Sequence, residues 1–475
     1  MTTGQEDYPD YDALWHLVSM GVRTKDKHKP NGWKAKRTGT TRVAMIDTSA
    51  AVDHPNLKKA INRDLALDLF TVPLGIFAYR SPAERLEDLG LNTGTSVAEG
   101  LPGISEILVK LIDRMSHGGL TWAGRPAPEG LPMPWDGTIW EGLVQPTVSP
   151  EFSNHGTAIA GLVGARATRV EAARPEPRED VTMIPLPYVG VDPHCEIVPI
   201  STNFDPDPEV LIVAFLYAEL IDADVVLLPR SIPDPARTVP ELTSTTVDDI
   251  PLNEAIAPAA TTPEEAQLWA ELAQLIVNVS LNRPVVCAAG NANEDNGIYP
   301  ANLASEHNGI IAVGAMNAKG FVSGFSAVQN MTVMGPSNDA EVFDRQQVRL
   351  DTRQHEYDPT GVPPVNENEK YSHFDVISTD VPGMYGYSDS PFASAEPETG
   401  IREFGSYFCS FGGTSAACAL IAGFLSLAKT SGALAVEADG LVAKAWLQNN
   451  CTEIEHDGHV LLYPAWNGDY SFPDA

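Results

Sequence analysis

Four residue types, spread along one chain, have the chemistry of acyl transfer: a carboxylate, an imidazole, a carboxamide and a hydroxyl. Asp47 ends the run Arg42-Val-Ala-Met-Ile-Asp47, and a carboxylate closing a buried strand lies where α/β folds collect their sites. Asp also ends strands simply as a turn residue. His155 opens the helix-like run Asn154-His-Gly-Thr-Ala-Ile-Ala-Gly, whose small residues allow close packing; a core histidine with a satisfied hydrogen bond would read the same way. Asn291 follows Pro284-Val-Val-Cys-Ala-Ala-Gly. An amide there donates to a developing oxyanion or forms an Asn turn. Ser415 lies in Phe411-Gly-Gly-Thr-Ser-Ala-Ala, ahead of a long apolar run. At a helix N-terminus a serine serves as a cap, or as a nucleophile whose oxyanion the free N–H groups and helix dipole stabilise.

Positioning four such groups requires a scaffold, and the pattern between them is α/β. Near-continuous apolar runs at 42–47, 196–200, 223–228, 284–289 and 310–315 read as strands buried on both faces of a parallel sheet. Helical patterns at 155–164, 208–222, 263–281, 415–429 and 438–449 alternate with them. Residues 12–22 read as a short helix resting on the main domain through Leu14, Val18 and Val22. Three stretches break the rhythm and read as insertions: about 62–150, 233–262 and 338–371. The first holds an apolar helix candidate at 103–115 and a loop with Trp122, Trp135 and Trp140. Such loops often serve as lids or binding elements. No internal repeat is evident.

The bulk composition narrows the partners. Of 475 residues, 31 are basic and 63 acidic, a net charge of −32. That field repels nucleic acid and anionic lipid, so neither is an expected partner, and it favours encounter with cationic peptides. The basic segment 23–42 runs against this trend and reads as a solvated loop, one lying on the protein's own acidic surface, or a site of trimming. Residues 1–12 are polar and acidic, without the pattern of a secretory leader. No apolar run approaches the ~20 residues that span a bilayer. The five cysteines are odd in number and lack metal-ligand spacing. A reduced, cytoplasmic protein is the expectation.

Order along the chain joins the four signals. Asp, His and Ser in that sequence, with an asparagine between His and Ser, resemble the subtilisin-like serine peptidases, the subtilases. Val43-Ala-Met-Ile-Asp47 followed by His54-Pro-Asn-Leu is similar to the family's first motif, and Asn154-His-Gly-Thr with Ala160-Gly161 to its second. Ala288-Ala-Gly-Asn291, Tyr299-Pro-Ala301, Ile311-Ala-Val-Gly-Ala315 and Ser323-Gly-Phe-Ser326 resemble the path onward from its oxyanion strand. Ser378-Thr-Asp380 and Gly413-Thr-Ser415 with Ala422-Gly423 resemble later segments. The resemblance implies a three-layer α/β fold with a mainly parallel central sheet flanked by helices and long surface insertions. It implies a catalytic domain over 42–465, after an N-terminal extension (1–41) and before a tail (466–475). It also implies a serine endopeptidase with Asp47, His155 and Ser415 as its triad and Asn291 in the oxyanion hole, acting on peptide or protein substrates.

Several positions depart from the family pattern. Ser49 stands where a glycine is usual, and Ala419 and Leu420 where a proline and a small or polar residue follow the serine. The latter change motivates a peptide-ligase alternative, in which an amine replaces water as acceptor. Pro229-Arg-Ser-Ile-Pro233 occupies the substrate-pairing segment, and proline lacks the N–H that pairs with substrate, so a restricted substrate range is expected. Asn56 replaces a frequent acidic calcium ligand, so neither metal nor other cofactor is expected. Fewer residues precede the first strand than a folded inhibitory prodomain needs, which leaves room for an activating protein partner. A catalytically silent binding platform and a small-molecule esterase or amidase are the rival readings.

Overall fold

The computed structural model describes residues 14–24, 31–63, 65–69, 76–77, 94–116, 153–171, 183–203, 205–234, 262–338, 376–381, 386–387 and 407–472. The Trp-containing loop and most of the three expected insertions lie outside these.

The strands β1 (Arg42–Asp47), β2 (Leu67–Asp68), β3 (Ile76–Phe77), β6 (Glu196–Ser201), β7 (Val225–Leu228), β8 (Val285–Ala288), β9 (Ile310–Met316) and β10 (Val333–Pro336) form one sheet. Its order is β10-β9-β8-β7-β1-β6-β2-β3. Every neighbouring pair is parallel except β2–β3. β2 and β3, within the stretch read as the first insertion, thus extend the sheet at one edge. The hairpins β4 (Thr168–Glu171) with β5 (Met183–Leu186), β11 (Val376–Thr379) with β12 (Phe408–Phe411), and β13 (Cys451–His456) with β14 (His459–Pro464) stand apart from it.

Alternation along β1 shows why both faces must be covered. Val43 and Met45 join one core, with α3 (Asn154–Gly164) and α6 (Gly413–Ser431). Ala44 and Ile46 join the other, with α4 (Pro208–Leu220) and α5 (Pro263–Asn282). A period of two sends neighbours to opposite faces, so a strand apolar at every position needs helices on both. The expected three-layer α/β arrangement is the one observed. α4 is buried along nearly its whole surface because α2 (Pro102–Ser116) lies over both α4 and α5. Glu271 Oε2 of α5 accepts from the Ile104 N–H at 3.0 Å, meeting one of the donors that the first turn of α2 leaves unsatisfied.

α6 is long and apolar enough to cross a membrane, but 94% of its most apolar window is buried inside the protein; it is the core helix. Gly432, at φ 74°, closes it in the left-handed conformation that glycine adopts most readily. α7 (Gly440–Asn449) packs against α5 and β14.

The short helix expected within residues 12–22 is present and packs on the domain. α1 (Trp15–Ser19) buries Trp15 and Leu17, with Leu14 and Val22 beside it, while Val18 is only half-buried. Ser19 Oγ and Tyr463 OH lie 2.6 Å apart, and the Trp466 N–H donates to the Met20 carbonyl at 2.9 Å. Trp466 is itself buried, edge-on to Phe424 of α6. The N-terminal helix and residues 466–472 therefore close one side of the core together.

Candidate active site

The carboxyl ends of the parallel strands carry the candidate residues. Asp47, the last residue of β1, is paired in register with Ser201 and is 1% exposed. Its Oδ1 accepts the Thr48 N–H at 2.6 Å. Burial alone would raise the Asp47 pKa. The His155 charge and hydrogen bond, the Arg230 charge and the Thr48 N–H together outweigh that and hold it below the usual carboxylate value.

His155 is the second residue of α3, and its Nδ1 lies 2.7 Å from Asp47 Oδ2 and 3.0 Å from Oδ1. A carboxylate can only accept, so Nδ1 carries the proton and Nε2 is left as the basic nitrogen. The Phe411 ring packs edge-on against the imidazole, with centroids 5.4 Å apart. Small residues allow this approach: a Cβ on Gly156 would lie 1.6 Å from the Ser49 carbonyl oxygen, and one on Gly161 2.1 Å from Thr379 Oγ1. Hydroxyls then fix the helix in place. Thr157 Oγ1 accepts the Ala51 N–H at 2.8 Å, Ser378 Oγ donates to the Ala158 carbonyl and Thr379 Oγ1 to the Thr157 carbonyl.

Ser415 is the third residue of α6 and 8% exposed. Its hydroxyl donates to the Pro229 carbonyl at 2.6 Å; among the described residues it has no hydrogen bond with His155. It is not the helix cap, a place held by Gly412. Gly413, at φ 74°, provides the left-handed turn into the helix. The loop after β10 grips that turn, with Asn338 Oδ1 accepting the Gly413 N–H at 3.3 Å and Ser337 Oγ donating to the Gly413 carbonyl at 2.8 Å.

Asn291 is joined to the same turn through Thr414. Asn291 Oδ1 accepts from the Thr414 N–H at 2.8 Å and from Thr414 Oγ1 at 3.0 Å, while Thr414 Oγ1 accepts the Gly290 N–H at 3.0 Å. A backbone N–H needs an acceptor, which fixes the amide oxygen toward Thr414 and turns the donor end away from it.

All four residues thus lie on the turns at one edge of the sheet, and Asp47 and His155 are in direct contact. Three contributors were not evident from the sequence. Thr414 was visible only as the neighbour of Ser415. Asn338 was read as the start of an insertion. Arg230 was seen only between two prolines; it donates to the Asn203 carbonyl at 3.0 Å, and its charge acts on Asp47. Burial lowers the Arg230 pKa, against the pull of Asp47 and Asp205.

Asn56 has a different task. Its Nδ2 donates to the carbonyls of Arg166, Leu186 and Tyr188 at 3.0–3.1 Å, so N–H groups of this chain occupy a point on which three oxygens converge. His54 beside it accepts the Asn56 N–H on Nδ1 and donates through Nε2 to the Tyr407 carbonyl at 2.8 Å.

A three-layer parallel fold with an Asp–His pair and a helix-borne serine at its carboxyl edge defines an α/β protein with a site of the hydrolase type. The subtilase family model matches residues 38–460, and the chain belongs to that family of serine peptidases. Among solved structures it is similar to a serine protease of Aeromonas sobria, with 16% identity and a TM-score of 0.45, covering 93% of this chain and 57% of that one. It is also similar to the nisin leader peptidase NisP of Lactococcus lactis, with 13% identity and a TM-score of 0.47, covering 96% and 92%. Proteases from Pseudoalteromonas arctica match at 14% identity and a TM-score of 0.46, covering 94% and 92%. The chain thus spans little more than half the length of the Aeromonas protein. No curated protein sequence matches it.

Proposed function

We propose that this protein is a serine endopeptidase in which Ser415 is the nucleophile, His155 the general base and then general acid, and Asp47 the group that orients and stabilises the imidazole. The observation that carries this reading is the buried Asp47 carboxylate on His155 Nδ1, which leaves Nε2 as a base on the turn edge that also holds Ser415. The Ser415 hydroxyl rotates from the Pro229 carbonyl to His155 Nε2 when substrate enters; such bonds often tighten only in the substrate complex. Oγ then adds to the scissile carbonyl as its proton passes to Nε2. The Asn291 amide and the Ser415 N–H receive the oxyanion. His155 returns the proton to the leaving amine, and water hydrolyses the acyl-enzyme by the reverse sequence.

Pro229 and Pro233 flank the substrate-side segment and favour a restricted set of peptide or protein substrates over general digestion. Ala419 and Leu420 are fully buried in the α6 core, which favours hydrolysis over ligation. The catalytic unit is proposed to span 42–465, with an activating protein as a candidate partner besides the substrate. Free cysteines, four of them buried, accord with a reduced, cytoplasmic setting.

Fluorophosphonate labelling of wild type and Ser415→Ala, with the modified peptide mapped by mass spectrometry, tests the assignment. Label at Ser415 that disappears in the variant is expected. A folded wild type that stays unlabelled, with and without candidate substrate, would point to the binding-platform reading.

A further inference from the structure

A charged cavity lies at the opposite end of the sheet's strands from Ser415. Its volume is about 800 Å³, and its lining includes Arg37, Lys58, Lys59, Arg63, Arg166 and His194. Glu196 is the one carboxylate in that lining. Glu196 begins β6, whereas Ser201, opposite Asp47, ends it. At ~3.3 Å per residue the two ends of such a strand stand roughly 17 Å apart. The cavity is therefore separate from the site described above.

Five Lys and Arg side chains against one Glu is an unusual gathering in a chain of net charge −32. Two are held by carboxylates of the chain itself, Arg37 by Asp192 at 3.3 Å and Arg63 by Asp53. Glu196 is engaged by Arg42 and Asn62. Lys58 and Lys59 are exposed and form no ion pair among the described residues. Arg166 donates through Nη2 to the Cys195 carbonyl, while its buried Nε has no partner among the described residues. His194 lies within electrostatic reach of Arg37, Asp192 and Arg166; burial first, and then the two arginines, lower its pKa against the pull of Asp192. Lys58, Lys59 and Arg166, with no carboxylate partner among the described residues, are the charges that an added anion would neutralise.

We propose that this cavity is a docking site for an acidic peptide segment. The chain already sets carboxylates on two of the cations, and Lys58, Lys59 and Arg166 offer the same chemistry to an incoming Glu- or Asp-rich stretch. No Phe, Tyr or Trp lines the cavity among the described residues, so a nucleobase would lack the broad aromatic platform on which bases usually stack. The volume lies within the ~300–1,000 Å³ usual for ligand sites. At physiological salt, charges beyond about 8 Å are largely screened, so the acidic surface elsewhere does not cancel the local field.

Fluorescence anisotropy of labelled hexaglutamate, titrated with the full chain carrying Ser415→Ala, tests the proposal. Binding is read directly, so the result is independent of turnover at Ser415. Saturable binding is expected, with no comparable binding of hexaglutamine. Lys58→Gln with Lys59→Gln should weaken it by about five- to tenfold, the loss of two partly screened ion pairs. Lys58→Arg with Lys59→Arg should retain it. Equal binding of hexaglutamine, or undiminished binding by the Gln pair, overturns the proposal. Displacement by inorganic tripolyphosphate far below the concentration of unlabelled hexaglutamate reassigns the cavity to phosphate and also overturns it.

Discussion

At the scale of single residues, the candidate site depends on which end of each polar group is committed elsewhere. Asp47 holds the proton-bearing nitrogen of His155, and Thr414 holds the oxygen end of Asn291. Each contact fixes which way its partner's polar atoms face. Asn291→Ala should therefore keep fluorophosphonate labelling at Ser415 while turnover falls by about 10²–10³, the usual effect of losing one oxyanion donor. Single-turnover kinetics with a peptide substrate checks this, and unchanged turnover would remove Asn291 from the oxyanion hole. The four residue types and their order were legible in the sequence. Thr414 and Arg230 were not, because a hydroxyl that bridges two turns and a cation that acts across the sheet have no local pattern.

At the scale of elements, close approach governs the site. Gly156 lets the start of α3 press against the loop after β1, where the obstacle to a side chain is the Ser49 backbone rather than a flexible group. Gly156→Ala should displace His155 from Asp47. The expected cost is about 1–3 kcal/mol of stability from overpacking and roughly 10²-fold in turnover from misplacement of order 1 Å; thermal melts and steady-state kinetics measure the two. Asn56 ties the loop after β1 to the segments around Arg166 and Tyr188 by donating to three carbonyls. Asn56→Asp would aim a carboxylate at those oxygens and should cost about 1–3 kcal/mol. Calcium should restore the loss, since a carboxylate with carbonyls forms a hard-cation donor set. Melting with calcium and with a chelator tests this.

At the scale of the whole molecule, burial links stability to pH. His16 and His54 are buried, and their pKa values fall by desolvation from 6.5 to about 3 and about 4. Between 6.5 and those values the unfolded chain binds protons that the folded one refuses, so stability is full above about pH 6.5 and declines as pH falls. Among the described residues neither ring nitrogen of His16 has a hydrogen-bond partner, so the folded state gains nothing there from its polarity. His16→Phe should flatten the fall in melting temperature between pH 7 and 5, while an unchanged slope would exclude His16 as a source. Asp47 acts in a lower window. Its depressed pKa contributes stability above the ordinary carboxylate value that is lost as pH falls through the folded one.

The sequence by itself determined the parallel α/β class, five central strands to within a residue or two, and the four candidate side chains. Buried parallel strands are continuous apolar runs, and residues at strand ends and helix starts keep short local signatures. Only the tertiary structure decided the rest. It set residues 466–472 against the N-terminal helix on one side of the core, where Trp466 meets Phe424. It extended the sheet with β2 and β3 from a stretch that read as an insertion, and it gathered Arg37, Lys58 and Arg166 around one cavity. Those outcomes depend on contacts between residues far apart in the chain, and periodicity reports only on neighbours.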